Sequence, residues 1–228
     1  MDNAQSPGRS RGRPAIPLDR ILDAALELVD ERGADALSMR SLAQQLGSGT
    51  ATLYRHFAGR DELVAQVVDR MLGEVDLKNA EVAGLHWQQA CITFAQGMFD
   101  ALARHGHVAP LLIGHVPIGP NAMARRELVL AVLLENGFPR VIAAHTYATL
   151  VRYVLGFAIQ LSGSAETDAE DAELSAAFRE LDADRYPSVV AVAAELPVPL
   201  ADEFTFGLEL IVAGLERLRT PLRVDPGE

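Results

Sequence analysis

The chain has 228 residues, 49% of them apolar and 22% charged, with a formal net charge of −11. That length holds one large domain or two small ones, and this apolar share excludes a wholly disordered chain. Such an acidic protein approaches a polyanion only if its charge is unevenly placed.

The first residues are polar, with Arg9, Arg11 and Arg13 set among Gly, Ser and Pro, so no secretory signal is expected there and residues 1–17 read as a flexible basic arm. Residues 18–32 place Ile21, Leu22, Ala25, Leu28 and Val29 on one stripe, with Gly33 as a stop signal. Ser38 is an N-cap candidate for a helix from Met39 to Leu46, Gly47 interrupts, and a short helix to Phe57 follows. A longer helix is expected from about Arg60 to about Leu77. The next, 85–104, carries Trp87, Cys91, Phe94, Met98 and Leu102 on one face. Cys91 is the only cysteine, which excludes an intrachain disulfide and suits a reducing compartment. Its spacing makes it a buried small hydrophobe rather than a catalytic thiol, since no basic partner lies near it in sequence.

A Gly/Pro/His-rich stretch, 105–120, includes a short helix around Ala109 to His115. Helices at 121–136 and from Pro139 to Leu161 follow, the first closed by Asn136 and Gly137. Residues 163–184 hold eight acids against Arg179, which predicts a mobile solvated connection and then a helix around 170–182. Ser188 to Leu196 forms another short helix, ended by Pro197 and Pro199, and Asp202 is expected to cap a last amphipathic helix over 203–219. No apolar run reaches about twenty residues, so a membrane span is not expected and the protein should be soluble and cytoplasmic. The fold class is all-α, with neither strand-like alternation nor internal repeat.

Function concentrates in LAQQLGSGTATLYRHF, residues 42–57. Residues 1–60 hold eight Arg and seven Asp or Glu, a balance of +1, whereas residues 61–228 carry −12. Between Asp35 and Asp61 there is no carboxylate, while Arg40, Arg55 and Arg60 remain. Ala43, Gly47 and Leu53 have the spacing of a helix-turn-helix: a small residue where two helices touch, a residue tolerant of positive φ in the turn, and an apolar anchor from the second helix. The second helix would lie in the DNA major groove. Thr50, Ala51 and Thr52 then lie at its amino end, where side chains reach base edges. Tyr54 and His56 suit phosphate oxygens, Arg60 adds a cation at the start of the next helix, and Arg40 is long enough for a guanine edge or a phosphate. The same spacing alone also occurs in helix pairs that touch no nucleic acid.

The string ILDAALELVDERGADALSMRSLAQQLGSGTATLYRHFAGRDELV resembles the amino-terminal domain of the tetracycline-repressor (TetR) family through A-L-x-L-V-x-x-x-G, S-M-R-x-L-A-x-x-L-G, T-L-Y-R-H-F and R-D-E-L. The likeness is close over residues 18–65 and looser beyond, mainly in helix count and FTFGLELIVAGLERL at 204–218. It implies a homodimer on a palindromic operator and a larger carboxy-terminal domain, 78–228, that binds a small effector and releases the DNA. By position, Arg40, Thr50, Ala51 and Thr52 fall where the family reads bases or nearby phosphates, and Tyr54, His56 and Arg60 where it clamps the backbone. One departure stands out: Ser48 and Gly49 follow the turn glycine where an apolar residue and Ser are common, so either Ser48 or Gly49 caps the recognition helix. Arg11 and Arg13, within RSRGRP, resemble an arm entering the adjacent minor groove; a disordered tail is the alternative.

The remaining helices serve dimerisation and a pocket. The helices at 139–161 and 203–219 are apolar over wide faces, and Gly156, Gly207 and Gly214 allow close approach, in keeping with a four-helix interface; intrachain core is the alternative. Candidate pocket residues are Trp87, Phe94 and Met98, with polar groups from His115, His145, Tyr147, Arg152 and Tyr153, and a mainly apolar effector suits them. No metal or other cofactor is assigned, because no carboxylate or cysteine joins His105 and His107 at ligand spacing. A helical enzyme is the competing class, but the histidines lack a Ser or Cys motif and the acids cluster in linkers. A DNA-binding regulator under the control of a protein partner, or one that activates, is the other alternative to a ligand-released repressor.

Overall fold

The computed structural model describes residues 16–75, 84–114, 116–161 and 168–219, all of whose regular elements are helical. Helix α1 (Leu18–Arg32) follows Pro17 and buries Ile21, Leu22, Ala25, Leu26, Leu28 and Val29. It stops at Gly33, whose N–H still bonds the Val29 carbonyl at 2.8 Å while its φ of 83° turns the chain out of the helix. A 3₁₀ turn, Ala34–Ala36, leads to α2 (Met39–Gln45). Ser38 caps α2 as the sequence suggests: its Oγ accepts the Ser41 amide at 3.1 Å, and the Ser41 hydroxyl oxygen accepts the Ser38 amide at 3.1 Å. Gly47, at φ 57°, makes the turn into α3 (Thr50–Leu53). This helix is one turn long, shorter than expected, because residues 54–56 already form a turn tied back to the Leu53 carbonyl.

Helix α4 (Arg60–Leu72) packs on α1 through Leu63, Val64, Val67, Val68 and Met71 and continues into the second half of the molecule. It ends five residues before the expected Leu77, which itself lies outside the described residues. At Gly73 the chain leaves the helix beside the Asn121 side chain, which a Cβ there would approach to 3.0 Å.

That half contains α5 (Trp87–Arg104), a 3₁₀ segment (Gly106–Leu112), α6 (Pro120–Glu135), α7 (Arg140–Leu161), α8 (Asp168–Arg179), α9 (Pro187–Ala191) and α10 (Leu200–Leu215). Short 3₁₀ turns at Ala193–Glu195 and Glu216–Leu218 flank α10. Helix α10 starts at Leu200 behind Pro199, not at 203, so Asp202 lies in its first turn rather than capping it. The helix expected near Ala109 to His115 is instead the 3₁₀ segment, and His115 lies outside the described residues. So does the start of the acidic stretch at 163–184, which is expected to be mobile.

Helix α7 packs against α5, α6, α10 and the 3₁₀ segment. Its length of 22 residues and mean hydropathy of 1.3 are enough to cross a membrane by composition alone, which corrects the expectation that no segment is. Arg152 and His145 interrupt its outer face, and Leu150, Val154 and Ala158 are buried in the domain.

Two clusters of polar contacts are prominent where the halves meet. Asp69 of α4 is buried and caps α6 from outside that helix: its Oδ1 accepts the Ala122 amide at 2.9 Å and its Oδ2 the Asn121 amide at 3.3 Å. The Asn121 side chain returns a bond to the Asp69 carbonyl at 3.0 Å. His105, at the end of α5, places Nδ1 2.7 Å from the Asp30 carboxylate of α1 and Nε2 2.9 Å from Glu74.

Candidate nucleic-acid interface and effector cavity

The helix pair is held from inside. Ala43, Leu42 and Leu53 are buried where α2 and α3 touch, and the Ser48 amide bonds the Ala43 carbonyl at 2.8 Å to close the turn. Gly49, not Ser48, occupies the N-cap position of α3; the Ser48 hydroxyl is buried and makes no hydrogen bond among the described residues. Gln45 ties α2 to α1 through the Ala24 carbonyl at 3.3 Å.

With that interior fixed, the remaining side chains face outward. Arg40, Thr50, Ala51 and Arg55 are exposed, Thr52 and His56 half-buried, and Tyr54 is 58% exposed. Positions 50, 51, 54 and 55 share one face of the single turn and its continuation. Arg60 is exposed at the start of α4, and its Nε donates to the Leu37 carbonyl at 2.9 Å, which ties the side chain to the segment that enters α2. Glu62 accepts the Ala58 amide, satisfying a donor at the start of α4. Arg11 and Arg13 lie outside the described residues.

In the carboxy-terminal half, a cleft of about 1010 Å³ opens between α7, α8 and α10 and the Leu196–Val198 loop. Behind two of its lining residues, Tyr153 and Phe157, lies a buried aromatic cluster. Phe204 stacks on Phe99 at 4.2 Å between ring centres and on Tyr153 at 5.3 Å, and Phe157 meets it edge-on at 5.5 Å. The Tyr153 hydroxyl donates to the Phe204 carbonyl at 2.7 Å, and only glycine at position 207 leaves space for it, because a Cβ there would collide with that hydroxyl. Burial first, then the Glu203 charge, raises the pKa of the phenol above the ordinary value.

Of the eight pocket candidates read from the sequence, Tyr153 lines this cleft. Trp87, Phe94 and Met98 are buried core; Trp87 packs edge-on against Phe138 at 4.8 Å. Tyr147 is half-buried beside Phe94, with the Arg126 guanidinium 5.4 Å from its ring centre. His145 and Arg152 are exposed on the outer face of α7. The cleft residues that the sequence did not single out, such as Phe178 and Phe206, come from helices whose placement depends on tertiary packing; the run of aromatics in FTFG was the one available signal. Cys91 is buried, and burial pushes its thiol up to about 12, so it is not a nucleophile at neutral pH.

Residues 21–67 match the family described as bacterial regulatory proteins of the tetR family, and residues 83–219 match the tetracyclin repressor-like C-terminal domain. Among curated relatives, the HTH-type transcriptional repressor DrrR1 of Streptomyces coeruleorubidus is 30% identical over 95% of this chain and 83% of its own. The tetracycline repressor protein class A from transposon 1721 of Escherichia coli is 28% identical over 89% of this chain and 92% of its own. Among solved structures, apo ActR from Streptomyces coelicolor superposes with a TM-score of 0.80 at 32% identity, covering 91% of this chain and 98% of that one. ActR in complex with actinorhodin gives 0.78 at 31% identity, covering 89% and 97%. With a helix-turn-helix head, a cleft-bearing helical domain and both family matches in chain order, the protein belongs to the TetR family as a ligand-responsive transcriptional repressor.

Proposed function

We propose that the protein works in the cytoplasm as a homodimer that places two α3 helices in successive major grooves of a palindromic operator and lets go when a small effector fills the cleft between α7, α8 and α10. The observation that carries this reading is the surface over residues 36–60: free of carboxylates in a chain of net charge −11, with Tyr54, Arg40 and Arg55 turned to solvent. Thr50, Ala51, Thr52 and Arg40 read base edges. Tyr54, Arg55, His56 and Arg60 hold phosphates, and the arm bearing Arg11 and Arg13 adds contacts in the neighbouring minor groove.

Pairing is supported by the outer faces of α7 and α10. Val141 and Phe206 are each 64% exposed and Leu210 58%, and a Cβ at Gly156 or Gly214 would meet nothing within 4 Å, so a second copy can approach closely there.

Selection of duplexes from a random pool, followed by titration at two salt concentrations, tests the reading. We expect a palindrome, bound with an affinity that falls steeply as salt rises because phosphate contacts release counterions. Tyr54→Phe and Arg60→Ala should weaken all duplexes alike, whereas Arg40→Ala and Thr50→Ala should change the preferred sequence, each by about 1–3 kcal/mol at the affected base pair. Binding that ignores salt, or uniform loss in all four variants, overturns the assignment of roles.

A further inference from the structure

We propose that the proton is a regulatory ligand of this repressor: taken up at His105, it fastens the DNA-binding head to the carboxy-terminal half and strengthens operator binding. This regulation is separate from the effector cleft and takes from the reading above only that the head binds an operator. His105 directly follows α5, a helix of the carboxy-terminal half, and its side chain is 15% exposed. The ring reaches into the head. Its Nδ1 lies 2.7 Å from the carboxylate of Asp30, in the last turn of α1, and its Nε2 2.9 Å from that of Glu74, just past the end of α4. A neutral imidazole has one N–H and one lone pair, so it bonds one of these carboxylates and turns a lone pair on the other. The imidazolium donates to both at once, through charge-assisted bonds.

The neighbouring groups favour the cation. Asp23 and Glu27 of α1 and Arg70 of α4 line the same recess, and Arg70 is paired to Asp23 at 2.9 Å. Arg104 of α5 donates to the Glu74 carbonyl at 3.3 Å, Arg125 of α6 to the Val75 carbonyl at 2.8 Å, and His107 bonds the Asp30 carbonyl at 2.9 Å. Asp35, on the Ala34–Ala36 turn that packs against the 3₁₀ segment after His105, is exposed. Four carboxylates thus meet a single guanidinium in the lining of this recess, and a positive charge on the ring is attracted on balance.

The clamp spans the parts of the chain that must act together. Helices α1 and α4 carry the α2–α3 pair, whereas α5 belongs to the carboxy-terminal half. With the ring charged, both ends of the head's frame are tied to one side chain and the head holds one orientation. With the ring neutral, one tie is lost, and DNA binding must also immobilise the head, which costs affinity. The negative potential of the duplex favours proton uptake in the same direction.

The full native chain and His105→Gln, each titrated with the selected operator duplex at constant salt between about pH 6 and pH 9, test this across the range above the ordinary histidine value. We expect the native affinity to fall about fivefold or more relative to His105→Gln as pH rises, a coupling of the usual size between two ligands. His56, at the DNA face, titrates in both proteins and cancels. Reciprocity adds a readout that a merely structural ring would not move: the operator must raise the titration midpoint of the His105 ring, followed through its Cε1–H magnetic resonance, by the same factor. In Glu74→Gln one carboxylate is neutralised while the ring stays, so the midpoints of the ring and of the affinity profile should both move to lower pH.

Parallel affinity profiles for the native chain and His105→Gln, an affinity that rises with pH relative to the variant, or a ring midpoint that the operator leaves in place each overturns the proposal. If His105→Gln does not fold, the operator's effect on the midpoint of the ring resonance that Glu74→Gln displaces decides alone. Absence of operator binding at every pH fails the operator reading and this proposal with it, whereas the other outcomes leave that reading intact.

Discussion

His105 sits with a carboxylate on each ring nitrogen, and neutral imidazole has only one N–H to give. Burial works against its charge, but the hydrogen bonds it donates to Glu74 and Asp30, with their charges, outweigh it and raise the pKa above 6.5. Asp23, Glu27 and Arg70 face the same small recess, Arg70 being paired to Asp23 at 2.9 Å, and His107 bonds the Asp30 carbonyl at 2.9 Å. A pKa raised in the folded state means that His105 stabilises fully below its unfolded value and loses that contribution as pH rises through the folded one. Denaturant midpoints of the native chain should therefore fall relative to His105→Gln as pH climbs from about 6 toward 9, the ordinary histidine value being about 6.5. Parallel curves for the two proteins would show that the ring carries no proton-linked stability.

A second residue-scale expectation concerns Gly47. With φ at 57°, Gly47→Ala should cost about 1–2 kcal/mol in a chemical melt, since an L side chain in that region crowds the following carbonyl. Gly47, Ser38, Ala43 and Leu53 were all legible in the sequence because their jobs are local: a cap, a turn and a contact between neighbouring helices. The His105 clamp was not. Its partners lie 75 and 31 residues away, and no periodicity links a histidine to carboxylates at such distances.

At the scale of elements, the join between α4 and α6 is the clearest case of one helix completing another. The free amides at the start of α6 are satisfied by Asp69 from α4 rather than by a residue of their own chain neighbourhood. A Cβ at Gly119 would collide with the Asp69 carboxylate, so the approach depends on glycine there. Asp69→Ala should lower stability by about 2 kcal/mol, the range for losing charge-assisted bonds at a buried site. Gly119→Ala should also destabilise, by pushing the carboxylate off the helix end. A loss below about 0.5 kcal/mol in urea titrations of Asp69→Ala would mean water replaces the carboxylate freely.

Helix boundaries divide along the same line. The starts of α2 and α6 and the end of α1 follow residues with strong local preferences. The ends of α3 and α4 and the start of α10 were misplaced: a turn at residues 54–56 closes α3 on the Leu53 carbonyl, α4 gives way at Gly73, and α10 begins directly behind Pro199 instead of waiting for Asp202.

Across the whole molecule, the exposed carboxylate-free surface over residues 36–60 was legible in the sequence, since the placement of charge along the chain survives folding unchanged. The cleft was the least legible part, because its walls come from three helices spread over residues 153–210 and no local pattern tells a wall from core. The proposed seam between copies supports a test that leaves each half intact. Gly156→Glu adds a charge at an exposed position with open space around it, so the monomer should fold normally. Sedimentation should then show single chains, and affinity for a two-half-site duplex should drop by about two orders of magnitude or more as the second contact becomes a separate event. A Gly156→Glu protein that stays paired would move the seam elsewhere.

Phe206 and Leu210 line the cleft and yet remain broadly open to solvent on α10. A guest lodged against them would rest beside the sister chain, so the free energies of occupancy and of pairing become a shared quantity. Diluting the protein should shed the guest along with the sister, and a well-loaded cleft should hold the pair together at concentrations where the empty one comes apart.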